Sequence, residues 1–251
     1  MNVILLRFSA PMQAWGVQSR FGIRDTGLEP SKSGVVGLLC AALGKPRDEN
    51  DAENQDQPTL AELAKLRMGA RVLREGVPKV DYHTATNFIK GKNGKTERKE
   101  TILSSRHYLA DADFLVGLES VDAELLNRLN DAVRRPRWQI FFGRKSFVPA
   151  LPVAVGVFAG DLETVLQDER IWRDKTLGVP SAETTVRFVI EPKADEEATE
   201  VRQDVPLSFA ARRFTIRRVT TKFINLKNGG NHDGNLSDED DFESALAESP
   251  A

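Results

Sequence analysis

The chain has 251 residues, 40% of them hydrophobic, which suffices for a sizeable core in one large or two small domains. No run approaches the ~18 apolar residues of a membrane span, and residues 1–8 lack the basic start and cleavage site of a signal peptide, so no membrane partner is expected. The single cysteine, Cys40, excludes an internal disulfide and a Cys-rich zinc site, and a reducing, cytoplasmic setting follows. Net charge is −2, but it is unevenly spread: residues 48–57 and 228–251 hold twelve acids and no Lys or Arg. The remainder has 35 basic and 25 acidic residues, a basic body that suits a polyanion partner.

In chain order, residues 3–8 (VILLRF) are a branched apolar run, predicted as a buried strand. A long loop occupies 9–32. Ser31 or Ser33 can cap an apolar segment that Gly44 and Pro46 stop, which predicts a helix over 33–43. Gly34 and Gly37 share one face of it, and their cost to a helix implies a close neighbour. Residues 46–58 are an acidic loop, and 59–66 suit a short helix. Alternation over 68–74 predicts a second strand, and 81–88 is extended. Asn93-Gly94 is a strong hairpin signal, and the charged arms around it predict a hairpin that projects from the body. Residues 108–118 return as a strand. Ser120 or Asp122 caps a helix with Leu125, Leu126, Leu129 and Val133 on one face, Pro136 ends it, and 138–142 is strand-like.

That succession (strand, helix, strand, strand, helix, strand) predicts an α+β fold with a ferredoxin-like, RRM-like body over 1–149. Strands at 153–158, 184–190 and 213–219 predict a β-rich C-terminal extension over 150–227, and the acidic stretch 228–251 a disordered tail.

Several clusters can carry chemistry. Pro30-Ser31-Lys32-Ser33 has the Lys-Ser of a Walker A loop but lacks its glycines, standing as Ser31 and Thr26, so no nucleotide cradle is expected. Free amides, a lysine and hydroxyls at a helix start still suit a phosphate, or make an ordinary cap. Arg134, Arg135, Arg137, Arg144 and Lys145 are interleaved with Trp138, Phe141, Phe142 and Phe147; the aromatics read as core, Arg144 and Lys145 as anion contacts. The hairpin carries Lys90, Lys92, Lys95, Arg98 and Lys99 and rejoins the body at Arg106-His107-Tyr108, a basic finger able to clamp a strand. Arg212, Arg213, Arg217, Arg218 and Lys222 form a fourth cluster, of which at most half can face one ligand from a strand. His83 and His107 flank the hairpin and can meet at its base, where general acid–base cleavage of RNA without a metal is conceivable; local hydrogen bonding is the plainer role. No metal or cofactor is indicated.

Taken together, Ala10-Pro11-Met12-Gln13-Ala14-Trp15-Gly16, the 30–44 segment, Asp81-Tyr82-His83-Thr84, Arg106, Tyr108-Leu109, Asp111-Ala112, Gly143-Arg144-Lys145-Ser146 and Phe209-Ala210 resemble the CasD family of type I-E CRISPR Cascade subunits. They fall in that family's order across residues 1–215, with Phe147 where the family commonly has cysteine. The resemblance implies a non-catalytic RNA-binding subunit of an antiviral ribonucleoprotein complex. Its hairpin, about 88–106, would be a thumb. It would grip the 5′ handle of the CRISPR RNA, cap the CasC filament, adjoin the large subunit CasA and meet target DNA only through the complex. Gln13, Trp15, Lys32, Ser33, Arg106, Arg144 and Lys145 match motif positions and, with Lys90, Lys92 and Lys95, are the expected RNA contacts; Trp15 either stacks on a base or packs under its loop. The alternative is a metal-independent endoribonuclease acting on repeat RNA through His83 and His107, the chemistry of relatives in type I-C systems.

Overall fold

The computed structural model describes residues 1–16, 22–90, 96–168 and 184–226, with backbone alone for 87–90, 96–100, 184 and 226. The first strand, β1 (Asn2–Ser9), is apolar on both sides because both sides are covered. Ile4, Leu6 and Phe8 point into the larger core and Val3 and Leu5 into a smaller one. Two short strands follow, β2 (Met12–Gln13) and β3 (Ile23–Arg24). The helix α1 (Lys32–Leu43) starts where the Ser31 side chain accepts from the Gly34 N–H and ends at Gly44, whose φ of 70° closes the last turn. The acidic stretch after it holds a 3-10 turn at Ala52–Asn54. The helix α2 (Leu60–Lys65) is opened by a capping box between Thr59 and Glu62.

Strand β4 (Arg67–Arg74) leads into a long hairpin, β5 (Val77–Lys90) and β6 (Thr96–Ala110), which extends well beyond the predicted 88–106. Its apex, with Lys92, Asn93-Gly94 and Lys95, lies outside the described residues, as does the Lys90 side chain. The predicted strand over 108–118 is two strands. It breaks at Asp111, whose φ is 56° and whose N–H donates to Pro11 O, and resumes as β7 (Asp113–Ser120). Helix α3 (Ala123–Arg134) is capped by Asp122. Residues 138–142 are not a strand: Phe142 reaches the core from a turn. The remaining elements are β8 (Ala154–Ala159), α4 (Leu162–Gln167), β9 (Thr184–Ile190), β10 (Glu200–Ser208) and β11 (Arg213–Leu226).

Seven strands form one sheet in the order β10-β11-β9-β4-β7-β1-β8, antiparallel at every pairing. β8, not 138–142, takes the place beside β1. Strands from both sides of residue 150 therefore share this sheet. Helices α1 and α3 cover one face with the larger core, and α4 covers the other, resting on Val3, Leu5, Leu115 and Phe188. The hairpin belongs to a second sheet, in which β6 also pairs with β2 and, in parallel, with β3. These pairings anchor the root of the hairpin against the loop that precedes α1. Among the described residues no helix is long and apolar enough to cross a membrane, and no group of three or more His, Cys, Asp or Glu is placed to hold a metal.

Candidate functional site

A groove of about 440 Å³ opens where the root of the hairpin, the start of α1 and the turn after Phe142 converge. Its floor is set by Trp15, only 2% exposed, stacked on Phe8 at 5.4 Å and close to Phe142 at 5.8 Å. The indole N–H donates to Gln13 Oε1, and the Gln13 amide donates to Phe8 O and Ala112 O, so a buried glutamine is satisfied at both ends. The Trp15 backbone is clasped by Thr26 and Gly27. Gly34 is required here: a Cβ on it would stand 2.9 Å from the indole. Gly143 is required by a φ of 91° and by Ala14 O, 1.8 Å from where its Cβ would stand.

The walls carry charge. Arg106 comes from β6 and Arg24 from β3, in register with each other, and Arg144 from the turn after Gly143. Arg144 Nη2 donates to His107 O at 2.8 Å, and its guanidinium lies 5.1 Å over the Phe147 ring, which packs on Tyr108. Arg106 Nε donates to Ser104 Oγ. Neither Arg106 nor Arg144 has a carboxylate within ion-pair distance among the described residues. Burial first, and then repulsion from Arg106, lower the Arg144 pKa against a small opposing pull from Asp81. Two cations thus act on each other with no carboxylate in direct contact among the described residues, Asp81 opposite Arg106 offsetting them only in part, an arrangement that an anion relieves. Ser31 and Ser33 add hydroxyls, and Phe209 and Phe214 form an apolar wall; Asp25, which has partners of its own, also lines the groove.

Of the residues singled out in the sequence, Trp15, Ser33, Arg106 and Arg144 meet in this groove, Trp15 as its buried floor. Lys145 is exposed beside it. Gln13 is fully buried beneath it, holding the loop rather than facing outward. Lys32 differs from expectation most clearly. It is 3% exposed, its Nζ lies 2.8 Å from Glu191 Oε1, and its backbone N–H donates to Asp204 Oδ2. The protein's own carboxylates therefore occupy the start of α1 where a phosphate was expected. Burial lowers the Lys32 pKa, Glu191 opposing and neighbouring Arg217 adding to the fall. Arg217, from the fourth basic cluster, is consumed in the same network. Burial acts against its charge, but Asp204 and Glu191 outweigh that and raise its pKa.

The two histidines do not converge. His83 lies opposite Ser104 and His107 opposite Val80 in the hairpin, three rows apart and on opposite faces because side chains alternate along a strand. Sequence reasoning left Arg24, Ser31, Phe209 and Phe214 off the candidate contacts. Of these Ser31 carried a signal, in the Pro30-Ser31-Lys32-Ser33 helix start, and Phe209 another, as part of the Phe209-Ala210 motif.

Chemically, the groove offers neighbouring guanidinium groups, hydroxyls and an aromatic wall, and so fits a ligand that is anionic along one side and flat and apolar along another. A family model described as CRISPR-associated protein (Cas_Cas5) matches residues 3–220, and the chain belongs to that family. It is similar to the CRISPR system Cascade subunit CasD of Escherichia coli (strain K12), with 34% identity over 163 residues, 62% of this chain and 70% of that protein. The resemblance to the CasD family drawn from the motifs is borne out. Two solved structures are also similar. One, described as the crystal structure of a Cas protein, has 35% identity and a TM-score of 0.67, covering 89% of this chain and 95% of that one. The other, from a CRISPR RNA-guided surveillance complex, has 31% identity and a TM-score of 0.69, covering 89% and 90%.

Proposed function

We propose that this protein is a non-catalytic subunit of a Cascade-type CRISPR surveillance complex that binds the 5′ handle of the CRISPR RNA in the groove beside Arg106 and Arg144. The observation that carries the reading is the pair of close, half-buried arginines left without carboxylate partners among the described residues. Phosphate contacts of this kind position an RNA strand, while splayed bases specify it. The strand order β8-β1-β7-β4, with α1 and α3 on one face, supports a ferredoxin-like body. Residues 1–149 would be its RNA-binding part and 150–227 its extension. The long hairpin would be the thumb, with Lys90, Lys92, Lys95 and Lys145 adding weaker contacts. In this reading the subunit caps a CasC filament beside CasA, works in the cytoplasm and meets target DNA through the assembled complex.

The test is a binding series with labelled repeat RNA in EDTA. Native gels are expected to shift, and denaturing gels to show no new fragments. Arg106→Ala and Arg144→Ala should each weaken binding and lower the log–log salt slope by about 0.7, the share of one single-strand phosphate contact. Unchanged slopes in both variants would overturn the assignment of the groove. New fragments would overturn the non-catalytic reading.

A further inference from the structure

Phe214 stands out for where it is partly exposed: Tyr82, Trp138 and Phe223 are more exposed, but none of them lines the groove. It is 37% exposed, although Phe8, Trp15, Phe142 and Phe188 are all buried, and it lines the same groove as Arg24, Arg106 and Arg144. It is the second residue of β11, where it sits opposite Pro206 of β10. Phe209 holds it from one side, with ring centroids 6.5 Å apart and planes at 68°, an edge-on contact. Phe209 is itself fixed: it packs against the larger core, and its Cζ stands 3.7 Å from the position of a Cβ on Gly37 of α1. The ring is therefore held by an aromatic neighbour and borders a groove that it shares with Arg24, Arg106 and Arg144, with Ser31 and Ser33, with the buried Trp15 and with Asp25.

We infer that Phe214 is the stacking surface for one unpaired base of the RNA strand whose phosphates Arg106 and Arg144 hold, with Phe209 as the residue that positions it. This inference rests on the proposed function and adds to it the residue that takes up a splayed base. Every base has a π-face, so stacking rewards a splayed base of any identity, whereas a paired base has no free face to give. Ser33 lines the same groove and brings a hydroxyl able to hydrogen-bond an edge of that base, whereas the Ser31 hydroxyl already caps α1.

The test uses the full chain and repeat-derived RNA carrying 2-aminopurine at successive handle positions. With the wild type, one position should show fluorescence quenching that the other positions lack. Phe214→Ala should abolish that quenching and weaken binding about tenfold. The salt slope should stay at the wild-type value, because no phosphate contact is lost. Phe214→Trp should retain both quenching and affinity, which separates stacking from a folding defect. The same RNA annealed to its complement should bind equally to wild type and Phe214→Ala. Wild type that binds while Phe214→Ala matches it in affinity and quenching would overturn this inference alone. Wild type that binds no single strand would overturn the proposed function and this inference with it.

Discussion

Lys32 and Arg144 show how little a residue's type says about its task. Both are basic, both follow a glycine-bearing or serine-bearing turn, and both match motif positions. Lys32 faces Glu191, 159 positions along the chain, and shares that carboxylate with Arg217. Arg144 faces a carbonyl, a ring and another arginine. A buried ion pair contributes little net stability but is costly to break when it strands a charge. Here Arg217 remains on Glu191, so Lys32→Met is expected to cost less than about 3 kcal/mol in urea denaturation. Its RNA salt slope should equal that of the wild type. A lowered slope would return the lysine to the ligand side. Nothing in the sequence around Lys32 announces its partner, because Asp204 and Glu191 look like surface acids until β9 to β11 fold over the start of α1.

Elements were legible where local chemistry fixed both of their ends. α1 was, because Ser31 and Gly44 bracket it, and α3 was, because Asp122 caps it and four leucine and valine positions repeat at helical spacing. β10 was not. Its sequence, EVRQDVPLS, is polar in alternation and its one deeply buried acid is held by a partner on β11. The aromatic run after Pro136 resembled a strand of core residues, but Trp138 is 45% exposed, and Phe142 and Phe147 reach the interior from turns. Half of the groove was legible, namely Arg106, Arg144 and Ser33, because those residues sit in local motifs; Arg24 and Phe214 join it only through tertiary pairing. The hairpin permits an element-scale prediction. Its outer part exposes Ile102 and Leu103, while its root carries Arg106 and Tyr108 and pairs with β2 and β3. Replacing residues 85–102 with a two-residue turn should leave the melting temperature within a few degrees of wild type but prevent co-purification with CRISPR RNA and the partner subunits. Normal assembly would show that the hairpin is not a thumb.

At the scale of the whole molecule, one sheet unites the chain, and Cys40 reports on its larger core. Burial pushes the thiol up to about 12 from an ordinary 9.0. The folded protein keeps this proton where the unfolded chain releases it. The associated stability is thus full below pH 9 and falls as pH rises from 9.0 toward about 12. Relative to Cys40→Ala, the wild type should lose urea resistance across that window; parallel curves would show that the thiol is accessible in the native state. The network of Lys32, Glu191, Asp204 and Arg217 has a consequence in time. It ties the start of α1 to strands made much later, and Phe209 and Phe214, from the same part of the chain, line the groove. Chains emerge from the ribosome N-terminus first. The arginines of the hairpin root are therefore synthesised long before the wall that faces them, and a nascent chain has no finished cleft with which to seize passing transcripts. Capture becomes possible only once the chain has been made through Phe214.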